Sequence, residues 1–245
     1  MSFCEEMIRD RLEANGLAAV PEQIERIHVY FQMLKEWNTR MDLIAQMSDE
    51  EIIDRHFVDS LTVLKTELLP DAGKVIDVGT GAGFPGMVLA MMRENLSVTL
   101  MDAQMKRLKF LSAVQEACGI RNVEIIHGRA EELGRRKEYR EAYDAAVARA
   151  VAPLSVLCEY LLPFVRMGGC ALCWKGPAIR DEMENGRRAA HLLGGRLEMP
   201  VECPVSGRDW NHLILPIRKT EKTSREYPRK AGVPKARPLG GTQPA

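Results

Sequence analysis

No apolar run in this chain approaches the ~20 residues that a helix needs to cross a bilayer. Nor does its start, M-S-F-C-E-E-M-I-R-D, resemble a signal peptide, since acids stand where the hydrophobic stretch would lie. The expectation is a soluble, cytoplasmic protein. The five histidines show no ligand spacing such as H-E-x-x-H. Cysteines stand at 4, 118, 158, 170, 173 and 203, and the single C-x-x-C pair lies in G-G-C-A-L-C-W-K-G, which reads as a buried strand. Residues three apart on a strand point to opposite faces, so Cys170 and Cys173 would not converge on one metal. Buried, reduced thiols are expected, with no metal site and no disulfide. Net charge is zero, and 46% hydrophobic with 28% charged residues is the composition of an ordinary globular protein, not of a disordered chain or a coiled coil.

The neutral total hides an uneven distribution. Residues 1–70 carry 14 acids and 7 bases, whereas residues 218–245 carry 8 bases and 2 acids. The latter stretch also holds four prolines and few large apolar side chains, so it reads as a mobile or loosely held basic extension. It serves either as a solvated terminus or as a counter-surface for phosphates, which clustered Lys and Arg attract regardless of sequence.

The first seventy residues read as helices. Ile24, Ile27, Phe31 and Leu34 follow helical spacing, Pro21 suits a first turn, and a second helix is expected from Asp49 through Leu64. From Lys74 the text alternates: K-V-I-D-V, S-V-T-L-M-D, N-V-E-I-I-H, Y-D-A-A-V-A-R-A and G-G-C-A-L-C-W-K read as strands separated by helices. A helix near 178–193 and two strands, about 196–203 and 211–217, complete the run, the last two as an antiparallel hairpin at one edge. Such alternation implies a mostly parallel, seven-stranded sheet with helices on both faces. The expected division is a helical segment at 1–70, an α/β domain at 71–217 and a basic tail at 218–245.

In V-I-D-V-G-T-G-A-G-F-P-G, residues 75–86, glycines crowd the turn after the first strand. Ligands of open parallel sheets bind beyond the carboxyl ends of the strands, where that turn lies. Residues 81–86 match the G-x-G-x-x-G dinucleotide pattern, with Asp102 at a suitable distance for ribose hydroxyls. With Asp77 two residues before Gly79, the fuller D-x-G-x-G-x-G favours S-adenosylmethionine, as in the first motif of class I methyltransferases. Gly79 and Gly81 let the backbone approach such a ligand. Asp102, closing the second strand, suits two ribose hydroxyls because an ionised carboxylate only accepts. Ala130 and Glu131, in H-G-R-A-E-E after the third strand, fall where such enzymes line the adenine pocket. No Walker-type lysine accompanies the turn.

These residues resemble one family closely: RsmG, also called GidB, bacterial enzymes that methylate a guanine N7 in 16S ribosomal RNA. D-V-G-T-G-A-G-F-P-G is the most specific block, and M-K-R-L-K-F-L, G-R-A-E, Y-D-A-A-V-A-R-A and W-K-G follow in the family's order. Upstream, W-N at 37–38 and R-H-F-V-D-S-L at 55–61 look like its helical segment, and Y-P-R-K-A-G-V-P-K-A-R-P-L like its ending. M-D-L-I-A at 41–45 departs from the expected N-L-T, which puts a local polar contact in question. The resemblance implies a class I S-adenosylmethionine-dependent methyltransferase fold, Rossmann-like, acting on 16S rRNA of the small ribosomal subunit. It further implies cofactor contacts at Gly79, Phe84, Ala130, Glu131 and Arg149.

Guanine N7 offers a lone pair without deprotonation, so positioning and electrostatics are expected to carry the reaction, with no catalytic base assigned. Consistently, A-R-A-V-A-P stands where exocyclic-amine methyltransferases have N-P-P-Y or D-P-P-Y. N7 faces the deep major groove of A-form RNA, so the target is expected unpaired or flipped out. A basic side chain holding O6 alone would leave N7 free. Arg149 and Lys175 are candidates near the base, and His56, one turn before Asp59, either pairs with it or touches RNA. Nothing in the sequence suggests an obligate partner chain, so a monomer is expected. The competing functions are a non-enzymatic RNA-binding or ribosome-assembly factor and a small-molecule methyltransferase.

Overall fold

The computed structural model describes residues 2–149, 152–210 and 212–241. Ala150, the expected last residue of the fourth strand, and Val151 lie outside the described residues, as do 211 and the tail's 242–245.

The chain opens with helices α1 (Phe3–Ala14) and α2 (Pro21–Asn38). Ser2 caps the first through a reciprocal pair of bonds with Glu5, and Pro21 starts the second where its missing N–H has no helical partner to lose. The expected helix at 49–64 forms, but not as one regular rod. It runs as α3 (Asp49–Ile52), a wide π-helical turn (Ile53–Val58), α4 (Asp59–Leu61) and a tight 3-10 turn (Thr62–Lys65). The wide turn is pinned by Asp54, a buried carboxylate that accepts from Arg11 Nε of α1 and from Arg208 Nε, each at 2.7 Å.

Strand and helix then alternate: β1 (Gly73–Val78), α5 (Gly86–Met92), β2 (Leu96–Asp102), α6 (Met105–Ala117), β3 (Val123–His127), α7 (Ala130–Leu133) and β4 (Tyr143–Arg149). They are followed by α8 (Leu154–Leu161), β5 (Val165–Lys175), a 3-10 turn (Pro177–Glu182), α9 (Met183–Leu192), β6 (Gly195–Leu197), β7 (Val201–Glu202) and β8 (Leu213–Lys219). The strand order is β3-β2-β1-β4-β5-β8-β6, with β7 also pairing with β8. Strands β1 to β5 are parallel, and β8 runs antiparallel between β5 and β6.

Eight strands thus replace the expected seven. The strand read at 196–203 is split by Glu198–Pro200, because Pro200 has no N–H to offer the ladder; both halves pair with β8. Alternation along each strand feeds two cores. Cys170, Leu172 and Trp174 pack in one, with α1, α2, α5 and α6, while Ala171 and Cys173 pack in the other, with α8 and α9. The two thiols therefore sit on opposite faces, as the strand periodicity requires. The N-terminal helices share the first core directly: Ile27, Phe31 and Phe57 lie in the same cluster as Met87, Val98 and Leu111.

The basic tail is docked, contrary to the loose extension that its composition suggests. Arg140 donates to the carbonyls of Gly134, Thr223, Ser224 and Tyr227, and Arg135 to those of Arg225, Glu226 and Pro228. Glu159 of α8, fully buried, grips Arg229 through both carboxylate oxygens. Lys219 is buried too, donating to the Leu162 carbonyl at 2.8 Å and to Thr223, and burial pulls its ammonium down to about 8. The tail is held largely through backbone carbonyls bound by arginines of the body, with Tyr227 and Leu239 packed on the second core, a mode that composition does not reveal. A last short helix, α10 (Val233–Ala236), packs on α8.

Candidate active site

Between β1 and β4 the sheet reverses its order of growth, and a cleft opens at the carboxyl ends of these strands. Gly79 and Gly81 turn there with φ of +73° and +61°, values costly for any residue with a Cβ. The Gly79 and Thr80 N–H groups donate to the Met101 carbonyl, tying the turn to the end of β2. A Cβ on Gly83 would meet Leu111 at 2.7 Å and run into the Tyr30 hydroxyl. By contrast, one on Gly81 would meet nothing nearer than the Gly79 carbonyl at 4.0 Å, so this glycine faces open space. Tyr30, from α2, stiffens the turn by donating to the Ala82 carbonyl and stacking on Phe84, centroids 5.3 Å apart.

The cavity above the turn measures about 560 Å³ and is lined by Gly79, Gly81, Phe84, Asp102, Arg149 and His56, among others. It thus gathers most of the candidates. Asp102, only 4% exposed, accepts from the N–H groups of Gly81 (3.0 Å) and Gln104 (2.8 Å), and Arg107 stands 3.4 Å from its Oδ2. Ala130 and Glu131 are not among the lining residues. Both are buried, and Glu131 Oε1 accepts from the Gly232 N–H at 2.9 Å, so it holds the tail. That bond places α10 so that Lys235 joins the cavity wall with Arg129 and Tyr160. None of these three stood out in the sequence; Lys235 was hidden by the reading of its segment as loose. Leu43 and Ile44 also line the cavity. Their loop, where the sequence departs from N-L-T, is held instead by Asn38, whose Oδ1 accepts from both N–H groups.

Asp77 lies beneath the turn. Its Oδ2 accepts from Thr80 Oγ1 (2.7 Å) and the Gly86 N–H (2.8 Å), while Oδ1 is buried without a partner among the described residues. Burial pushes its carboxyl up to about 6, against the lowering by those two bonds and by Arg149 of β4; Asp102 of β2 raises it further.

Arg149 organises the other side. It donates through Nη1 to the Arg55 carbonyl (2.5 Å) and Asp59 Oδ2 (3.2 Å), and through Nη2 to His56 Nδ1 (2.9 Å); its guanidinium lies 5.2 Å from the Phe84 ring centre. His56 and Asp59 therefore meet Arg149 rather than each other. A guanidinium only donates, so Nδ1 must accept and the His56 proton resides on Nε2. That Nε2–H is buried and has no partner among the described residues. Burial, then the cations of Arg149 and Arg55, lower His56 to about 3, so it stays neutral. Asp59 also binds His212 Nδ1 at 2.7 Å, a residue that the sequence did not single out.

A second cavity of about 320 Å³ adjoins the first, sharing His56 and Arg149 and adding Arg55, Asp59, Trp174, Lys175, Gly176 and His212. Lys175 lines it, but its ammonium is engaged by the Ala152 carbonyl (2.9 Å) and Glu182 (2.8 Å). Among the described residues no group of three or more His, Cys, Asp or Glu is arranged to hold a metal, and no helix is long and apolar enough to cross a membrane.

The family model for rRNA small subunit methyltransferase G matches residues 23–209, more than half of the chain. The chain belongs to that family. A ribosomal RNA small subunit methyltransferase G from Alkaliphilus metalliredigens is 41% identical over 95% of this chain and 98% of its own. One from Clostridium perfringens is 39% identical over 96% and 98%. Among solved structures, the predicted O-methyltransferase Atu636 of Agrobacterium tumefaciens superposes with a TM-score of 0.52 at 19% identity, over 67% of this chain and 81% of that one. Pyrococcus horikoshii TYW2 in complex with MeSAdo gives 0.50 at 13% identity, over 66% and 61%. The fold is thus that of class I methyltransferases, and this family member is an S-adenosylmethionine-dependent methyltransferase. The donor set fits that cofactor: a carboxylate at the second strand end, an open glycine flank, and the unpartnered Asp77 Oδ1.

The docked tail carries a first prediction. Arg140→Ala removes the donor shared by four carbonyls, and the tail should loosen. Trypsin is expected to cut between 220 and 237 at least tenfold faster, and cofactor affinity to fall several-fold by calorimetry as Lys235 leaves the wall. Unchanged affinity alongside faster cleavage would separate the tail from the cofactor site.

Proposed function

We propose that this protein methylates N7 of a guanine in the 16S rRNA of the small ribosomal subunit, as a monomer in the cytoplasm. The observation that carries the reading is the pair of adjoining cavities sharing Arg149 and His56, one built on the glycine turn and the other roomy enough for a flipped base. Gly79, Gly81, Phe84, Asp102 and Arg149 are assigned to the cofactor, with Asp102 on the ribose hydroxyls. Ala130 and Glu131 act on the adenine end through the wall that they support. In this reading the α/β portion, 71–217, carries the chemistry, the helices of 1–70 brace the turn through Tyr30, and the tail from 218 onward closes the cavity.

When bound, S-adenosylmethionine supplies an electrophilic methyl that the N7 lone pair takes while the sulfonium becomes a neutral thioether. No proton moves, so the side chains position and polarise. His56 offers a fixed, neutral Nε2–H, the kind of donor that guanine O6 accepts while N7 stays free. Arg149 fixes the His56 tautomer and sets a buried positive charge between the two cavities. Lys175, engaged by Glu182, shapes the base cavity.

The test is transfer of labelled methyl from S-adenosylmethionine to unmodified small subunits, with the product mapped by cleavage at 7-methylguanosine. One labelled guanine is expected. Cofactor binding without transfer to subunits or free 16S RNA would refute the reading and favour a binding factor or a small-molecule acceptor.

A further inference from the structure

Three cations, Arg55, Arg149 and Lys175, line the smaller cavity, and Arg208 stands beside them on Trp210; all but one are neutralised locally. Arg149 binds Asp59, Lys175 binds Glu182, and Arg208 binds Asp54 and Glu50. Arg55 is the exception: among the described residues its guanidinium forms no ion pair. It lies 4.0 Å from the ring centre of Trp210, while its backbone carbonyl is held by Arg149 Nη1 at 2.5 Å. Both ends of the residue are thus fixed, the head by an indole and the main chain by the site's central arginine. Arg208 approaches the same indole at 5.4 Å and His212 stacks beside it at 5.7 Å, so Trp210 itself is held.

Glu51 feels the Arg55 charge but forms no ion pair with it, so a fixed guanidinium lining a base-sized cavity keeps its N–H fork for an anion. Its planar fork of N–H groups matches phosphate oxygens in pairs, which a lysine ammonium does not. Resting on the assignment of RNA as substrate, we propose that Arg55, held on Trp210, binds the RNA phosphodiester next to the flipped guanine. Trp210 and His212 also line an open groove of about 780 Å³ beside the cavity, which gives the sugar–phosphate chain a path past Arg55. Holding the base by its own backbone fixes the depth to which it enters, without drawing on any atom of the ring. Arg55 is thereby a substrate-binding residue and Trp210 its positioning residue.

The experiment compares the wild-type chain with Arg55→Ala, Arg55→Lys and Trp210→Phe on unmodified small subunits. Arg55→Ala should raise KM for subunits about tenfold, more than it lowers kcat, with cofactor affinity unchanged. The slope of log Kd against log salt for RNA binding should shrink by about 1, the signature of one lost phosphate contact. Arg55→Lys, which keeps the charge but not the fork, should restore the salt slope and only part of the KM. Trp210→Phe should raise KM less than Arg55→Ala does and leave the slope intact. An active wild type whose Arg55→Ala variant keeps both KM and salt slope overturns this assignment alone. A loss of kcat with unmoved KM and slope overturns it too, placing Arg55 in the support of Arg149. A wild type inert on every RNA overturns the rRNA reading itself, and that failure is visible without any variant.

Discussion

Arg149→Met is expected to cut methyl transfer by on the order of 100-fold and to destabilise the fold by about 3 kcal/mol. The stability loss follows from Asp59, which is 2% exposed and would keep only the hydrogen bond to His212 among side-chain partners of its carboxylate in the described residues. The loss in rate follows from His56: without the Nη2 donor, Nδ1 no longer has to accept, so the proton is free to reside on either nitrogen. Removing that guanidinium also removes one of the charges that hold His56 near 3, and its pKa should rise while burial still keeps it below the usual value. The two effects separate in the double variant Arg149→Met/Asp59→Asn, in which no buried carboxylate is stranded. Urea unfolding should then recover most of its midpoint while single-turnover transfer stays low. Recovery of both would reduce Arg149 to a partner for Asp59.

Asp77→Asn should have the opposite sign on stability and should weaken cofactor binding. The folded-state pKa, about 6, lies above the value of 3.8 expected for an exposed aspartate. The folded protein therefore holds its proton more tightly, and this residue's contribution to stability declines as pH rises from about 4 through 6. Above that range the charged, buried carboxylate costs about 3 kcal/mol relative to the neutral acid. Asparagine keeps an oxygen for Thr80 and Gly86 and carries no charge, so the variant should gain up to that amount at pH 8 and almost nothing at pH 4. Cofactor affinity should meanwhile fall at least tenfold, because a carboxylate under the glycine turn favours a ligand carrying ammonium and sulfonium charges. Urea titrations at the two pH values, with calorimetry at pH 8, decide the matter. A variant no more stable at pH 8 would show that Asp77 is solvated or already partnered; undiminished affinity would remove it from the site.

The sheet and the glycine turn were legible because their signals are local. Alternating strands and helices set the topology, and D-x-G-x-G-x-G set the position of the cleft. Asp102 could be read from its place at a strand end. The hold of Glu131 on the tail could not be read because its partner, the Gly232 N–H, lies a hundred residues away in a segment whose composition argues for mobility. Tyr30 and His212 escaped notice for the same reason: each acts through a contact distant in sequence, with Ala82 and Asp59 respectively. His56 and Asp59, read as one turn apart and able to pair, instead both meet Arg149 of β4, and the π-helical widening between them has no sequence signature. The split of the sixth strand was readable in part, since Pro200 stands inside it.

Asp54, one residue before Arg55 and two before His56, is clasped by Arg11 and Arg208, and Arg11 Nη2 also donates to the Ser206 carbonyl at 2.6 Å. The turn that lines the acceptor cavity is therefore closed by chain segments nearly two hundred positions apart. Bringing such segments together comes at a loop-closure cost that local helices and neighbouring strands do not face. In the proposed reading, a chain that lacks this clasp presents the glycine turn without a formed acceptor side.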